Sequence, residues 1–326
     1  MRNIRSWIPV LLVGTSTAFG FQTAGPVDAP ASNLRPRPAP AEVEAPAPHL
    51  RVDASLVLIP VQVSTESGAQ VTHLAKENFR IFEDGVEQKI THFAMDDAPI
   101  SIGVLLDSSG SMQNKMRKSL EAASTFFKTA NPEDEFFLID FNERPRLAVG
   151  FTPDSGELYR RISHTHPFGR TSLFDAIEMA VREMKKAKNQ RKAIVILSDG
   201  GDNRSRMTFK GVKSLMQEAD VQMYSMGIFD LTDSPKRPRE EQDGPRLLDE
   251  LTGITGGRNY RVGNVDDLPS ISALIGAQLR NQYLIGYTPA NEDRDGKYRR
   301  VKLSLDVAET PSLRVQYRTG YYAPAQ

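Results

Sequence analysis

The chain has 326 residues, 39% of them hydrophobic and 25% charged, the make-up of a globular protein with room for more than one domain. Lysine plus arginine equals aspartate plus glutamate at 41 each, so no basic excess points to a nucleic-acid partner. Cysteine is absent, which excludes disulfides, thiolate metal sites, cysteine nucleophiles and a lipid-modified N-terminal cysteine.

Arg2 and Arg5 precede an uncharged, mostly apolar run from Trp7 to Phe21, with small residues at Ala18, Gly20 and Ala24. That is the layout of a secretory signal over 1–24, and it predicts an exported, periplasmic or secreted, envelope-associated protein. An uncleaved anchor is the other reading, although the run is short for a span of roughly 20 residues. Residues 25–49 are dominated by proline and alanine and read as an extended, semi-rigid linker.

From residue 50 the pattern becomes β. Val57, Ile59, Val61 and Val63 alternate with other residues, and 79–82 faces 86–90 across Asp84-Gly85, a hairpin signal. A second β-rich block, 281–326, carries 283–287, the alternating Val301, Leu303, Leu305 and Val307, and then 313–317. Neither block has strands enough to stand alone. The expectation is that 50–98 and 281–326 build one small β-sandwich with 99–280 inserted between them; separate edge extensions of the central sheet are the alternative.

Within 99–280, strand patterns at 102–106, 136–141, 146–151, 193–197, 221–226 and 258–262 alternate with helical ones at 113–129, 155–163, 172–188, 208–219, 246–253 and 266–280. This predicts an α/β fold with a doubly wound, mostly parallel sheet. The stretch 231–244 reads as a surface loop. There is no internal repeat and no apolar span after the signal.

Three separated segments share one character. Asp107, Ser109 and Ser111 follow the first central strand, Thr171 opens a helix, and Asp199 ends another strand in Asp-Gly-Gly. Ligands of open α/β sheets bind outside the carboxyl ends of the strands. If the segments meet there, they supply two carboxylates and three hydroxyls without sulfur or imidazole. Such a set suits Mg2+, with Mn2+ or Ca2+ as alternatives, rather than zinc or copper.

In order and approximate spacing, Asp107-x-Ser109-x-Ser111, Thr171 and Ser198-Asp199-Gly200 resemble the metal-ion-dependent adhesion site of von Willebrand factor type A domains. The resemblance implies that Ser109, Ser111 and Thr171 contact the cation directly or through water and that Asp107 and Asp199 act mostly through waters. It also implies a protein ligand whose aspartate or glutamate completes the shell. Arg170 departs from the second glycine that many relatives carry before the threonine. Arg170, Asn142 and Asp202 are candidate rim residues for partner binding. The flanks, from Val57 to Gly85 and from Tyr283 to Tyr322, resemble exported bacterial proteins of acidobacterial type that carry a related domain.

Plainer readings exist for several residues. Serines and aspartates at a strand-to-helix turn also serve as caps. Asp175, Asp202 and Asn203 read as capping or rim residues, and His164 and His166 as loop residues without a third ligand for zinc. The basic run Lys185, Lys186, Lys188, Arg191 and Lys192 reads as a solvated helix end. A hydrolase is disfavoured by the lack of a Gly-x-Ser-x-Gly elbow, an Asp-x-Asp after the strand, a lysine-bearing phosphate loop or a histidine in the cluster. The expectation is therefore a non-enzymatic, cation-dependent binding module with no small-molecule cofactor. A scaffold component with a stabilising ion is the alternative.

Overall fold

Alternation of Val57, Ile59, Val61 and Val63 builds β1 (Val57–Thr65), whose even-numbered neighbours face the other way. In this computed structural model the described residues are 56–66, 68–228, 239–307 and 312–325, so the signal-like segment 1–24 and the linker 25–49 lie outside them. After β1 come β2 (Phe79–Glu83), β3 (Val86–Gln88) and β4 (Ile90–Asp96). The β2–β3 hairpin turns on Asp84 and Gly85, both at positive φ (48° and 88°), as a two-residue type I′ turn requires.

The chain then enters the α/β region through β5 (Ile100–Asp107), α1 (Met116–Phe127), β6 (Glu135–Phe141), β7 (Pro145–Thr152), α2 (Ser155–Ser163) and α3 (Leu173–Met184). It continues with β8 (Arg191–Ser198), α4 (Phe209–Glu218), β9 (Gln222–Ile228), α5 (Arg239–Ile254), β10 (Asn259–Val262) and α6 (Leu268–Arg280). The sheet order is β10-β9-β8-β5-β6-β7, parallel throughout except for β7. All eight residues of β5 are buried, as a central parallel strand covered on both faces demands. Ile102, Val104 and Leu106 pack beneath α1, α2 and α6, whereas Leu105 points to α3, α4 and α5. Each such side chain contributes about 1.5–3 kcal/mol by leaving water.

The helical pattern at 113–129 starts only at Met116, because a single 3-10 turn, Gly110–Met112, first carries the chain off β5. The pattern at 172–188 gives a helix that runs from Leu173 to Met184, with Lys185 as its C-cap. The predicted loop over 231–244 is corrected in its second part: 239–244 form the first turns of α5, and 231–238 lie outside the described residues. Pro245 removes one helical N–H from α5, but Leu248 and Leu251 are fully buried and anchor the helix.

After α6 the chain runs through β11 (Gln282–Tyr287), β12 (Tyr298–Leu305), β13 (Leu313–Tyr317) and β14 (Gly320–Tyr322). Two antiparallel sheets, β13-β1-β11-β4 and β14-β12-β2-β3, interleave strands from both ends of the chain. Ile59, Val61, Ile81, Tyr283, Ile285, Tyr287, Val301 and Leu303 fill the space between them. The outer face of β1 meets the α/β region: Gln62 Nε2 donates to the Tyr224 hydroxyl and to the Gln278 carbonyl (3.2 Å), and Gln282 Nε2 donates to Gln222 Oε1 (3.0 Å). Among the described residues no helix is long and apolar enough to cross a membrane.

Candidate metal centre

From β5 the chain moves to β6 on one side, and from β8 it moves to β9 on the other. The carboxyl ends of β5 and β8 therefore flank the point where the winding reverses, the place at which open α/β sheets leave a crevice. Asp107 ends β5 there with no solvent exposure. Its Oδ1 accepts from the Ser109 amide (2.8 Å), a local turn that fixes the carboxylate, and its Oδ2 accepts from Ser198 Oγ at the end of β8 (2.6 Å). Ser109 Oγ and Ser111 Oγ lie 3.0 Å apart.

The segment carrying Thr171 is tied to this turn by its backbone. Phe168 N donates to the Ser108 carbonyl (2.9 Å), and Gly110 N donates to the Gly169 carbonyl (3.0 Å). Gly169 takes φ +76° with the Glu143 side chain packed over its Cα, a conformation and a clearance that favour glycine. Thr171 itself is 5% exposed, and its amide donates to Asn203 Oδ1 (3.0 Å) while its carbonyl accepts from the Asn203 amide (3.1 Å).

Asp199, also buried, follows β8 and leads into Gly200 at φ +77°. Its Oδ2 is 3.6 Å from Lys115 Nζ, too long for a good hydrogen bond, and Lys115 also donates to the Ile228 carbonyl (3.2 Å). The Asp107 carboxyl is pushed up to about 7, first by burial and then by the negative charge of Asp199; the bonds from Ser109 and Ser198 offset this in part. A buried pair of acids that repel one another, beside clustered hydroxyls, is a donor set that fits a hard divalent cation. The Ser172 hydroxyl, next to Thr171, is buried without a hydrogen-bond partner. Among the described residues no three His, Asp or Glu cluster together, so any such ion would depend on the hydroxyls.

The remaining candidates fall around the rim. Arg170 is exposed and Asn142 is half-buried just past β6. Asp202 is turned to the backbone, accepting from the amides of Phe174 (3.2 Å), Arg204 (3.3 Å) and Ser205 (3.1 Å), and burial raises its pKa. Asp175 accepts from Arg206 N (3.0 Å) and Met207 N (2.9 Å), which closes the same loop. His164 and His166 are exposed and bond to backbone carbonyls. Two further residues carry no signal in the sequence, Lys115 and Phe168, the latter 63% exposed beside the turn, and Ser198 stands in the Ser-Asp-Gly motif without a role assigned to it. Ser198 was visible as a hydroxyl at a strand end, but nothing in the linear pattern brought Lys115 back toward Asp199.

Residues 102–201, from β5 to just past β8, match the von Willebrand factor type A domain family. The chain carries a von Willebrand factor type A domain. Inter-alpha-trypsin inhibitor heavy chain H2 of Mesocricetus auratus is 30% identical over 169 residues, which cover 46% of this chain and 18% of that one. The Homo sapiens counterpart is 29% identical over 169 residues with the same coverage. The chain thus spans less than a fifth of these relatives. Among solved structures, a von Willebrand factor type A protein from Catenulispora acidiphila aligns with TM-score 0.48 at 13% identity, over 84% of this chain and 75% of that one. An aerotolerance-related membrane protein from Bacteroides fragilis aligns with TM-score 0.44 at 17% identity, over 55% and 98%. The von Willebrand A span of this chain encloses Asp107, Ser109, Ser111, Thr171 and Asp199. Domains of this family are in general protein-interaction modules.

Proposed function

We propose that the von Willebrand A domain of this chain holds a divalent cation and uses it to capture an aspartate or glutamate of a protein partner. Mg2+ is the expected ion, and Mn2+ or Ca2+ would fit the same oxygens. The observation that carries the reading is the buried pair Asp107 and Asp199 beside the Ser109 and Ser111 hydroxyls, with Lys115 at 3.6 Å the one cation paired with them among the described residues. When bound, the cation supplies an electrophile with a coordination position for a partner's carboxylate. Ser109, Ser111 and Thr171 would hold it by their hydroxyls, and Asp107 and Asp199 would neutralise it through waters. Asp107, fixed by Ser109 N and Ser198 Oγ, keeps the turn in place. The signal-like 1–24 and the linker 25–49 carry the domain out of the cytoplasm and away from the envelope surface in this reading.

Titration calorimetry with MgCl2 tests the ion, with Asp107→Ala as control: binding is expected in the native protein and not in the variant. Pull-down from the native envelope with and without EDTA tests the partner. Capture that survives EDTA unchanged defeats the metal-bridged mechanism. A second reading, an ion that only braces a scaffold component, is favoured by the near-complete burial of Asp107, Ser109 and Thr171. In that case Asp107→Ala loses helical signal on mild heating along with the ion, and no partner is captured.

A further inference from the structure

The basic run after α3, whose Lys185, Lys186 and Lys188 are exposed, borders a cavity at its end. Lys188 and Lys192 both line a cavity of about 490 Å3 at the amino ends of the central strands, where the α/β region meets β1 and β11. That volume lies within the range of small-molecule sites, about 300–1,000 Å3. Since β8 runs from Arg191 to Ser198, the cavity and the Asp107 turn are separated by the length of that strand, roughly 25 Å.

The lining is apolar on one side and cationic on the other. Leu58 and Pro60 of β1, Leu284 of β11, Pro99 and Val221 make the apolar wall, and Leu58 remains 41% exposed despite its size. Lys188, Lys192 and Arg318 line it together with Asp220, the one carboxylate among the described lining residues. Arg318 is paired with Asp220 (3.0 Å) and donates to the Gln217 carbonyl (3.0 Å). Arg191 is held by the carbonyls of Ala98 and Leu279. The two lysine ammoniums have no ion-pair partner among the described residues. Gln222, which also lines the cavity, is 9% exposed, and its Nε2 is a buried donor without a hydrogen-bond partner. A cavity with unpaired lysines beside an exposed apolar wall is matched by a ligand that carries both features.

We propose that this cavity binds a small amphiphilic anion, a carboxylate, sulfonate or phosphate joined to an apolar group. Lys188 and Lys192 would pair with the anionic head, and Leu58, Pro60 and Leu284 would cover the apolar part. The site is independent of the cation reading, because none of its residues belongs to the turn at Asp107.

The test titrates the full chain with the fluorescent apolar anion 8-anilinonaphthalene-1-sulfonate and with its uncharged counterpart N-phenyl-1-naphthylamine. The expected result is saturable, one-to-one binding of the sulfonate, with the neutral compound weaker by on the order of tenfold. Lys188→Met together with Lys192→Met should weaken the sulfonate by a similar factor, and arginine at both positions should restore it, which separates charge from folding. Leu284→Trp, which fills the apolar side, should abolish binding of both compounds. EDTA should leave both affinities unchanged, so failure of the cation site leaves this result intact. Absence of saturable binding overturns the proposal, as does equal affinity for the neutral compound or for the double methionine variant.

Discussion

Asp107 sits where burial and a like charge both oppose ionisation, and its carboxyl titrates at about 7 in the ion-free protein. An unfolded aspartate titrates near 3.9, so between those values the folded chain holds a proton that the unfolded chain has lost. Stability from this group is therefore full below about pH 4 and declines as pH rises through 7. Asp107→Asn keeps the shape and removes the titration. In EDTA at pH 8 the variant should exceed the native protein in stability by a few kcal/mol, with the gap closing near pH 4; melting curves across that range check it. A gap that widens toward acid pH refutes the assignment. Lys115 presents the opposite case. Its ammonium occupies the approach to Asp199 at 3.6 Å, so it competes with any added cation. Lys115→Met should tighten Mg2+ binding by roughly tenfold at low ionic strength, measured by calorimetry, and should destabilise the protein without the ion.

The elements around the turn are held by backbone clearances as much as by side chains. Gly200 has φ +77°, and a Cβ built on it would lie 3.0 Å from the backbone of Gly244, early in α5. The two glycines let the end of β8 and α5 approach within van der Waals contact, and this approach sets the direction in which Asp199 leaves the strand. Gly200→Ala combines a left-handed alanine with that clash. It should cost about 1–3 kcal/mol in chemical denaturation and weaken Mg2+ binding, although it removes no ligand. Unchanged cation affinity in the variant would mean that Asp199 is placed by other contacts. The hydroxyl of Ser198 and the Asx turn at Asp107 act on the same scale, joining the ends of two neighbouring strands in one short bond.

At the scale of the molecule, the flanking sandwich is made from both ends of the chain, with β11 lying between β1 and β4. Removing 282–326 takes away β11, β12, β13 and β14 together and leaves β1 and β4 without a strand between them. In limited proteolysis 57–96 should then be digested while 100–280 persists with its helical signal. Persistence of 57–96 would indicate that it folds on its own. Gln62 Nε2, bonded to the Tyr224 hydroxyl and to the Gln278 carbonyl, ties this sandwich to the central sheet through buried amides. Burial raises the pKa of Tyr224, in keeping with a hydroxyl that stays protonated and available as a partner.

The pattern of residues by itself determined the alternation of strands and helices, the polarity of each strand, the hairpin at Asp84-Gly85 and the three oxygen-bearing segments. These are legible because hydrophobic period and turn chemistry are local: β5 announces itself by the apolar run at 102–106, and a positive φ calls for Gly or Asp at its own position. The helix over 239–244 was not legible, because Gly244 and Pro245 are local breakers, and only the burial of Leu248 and Leu251 and the contact with Gly200 override them. Nor was the destination of the basic run, since whether Lys188 and Lys192 meet water or a cavity depends on where β1 and β11 pack. Above all, the linear pattern showed two carboxylates, Asp107 and Asp199, without their separation or their burial. Tertiary structure decided that Asp199 lies close enough to raise the pKa of Asp107, that Ser198 holds its other oxygen and that Lys115 returns to the pair, because electrostatic energy depends on distance and burial rather than on order along the chain.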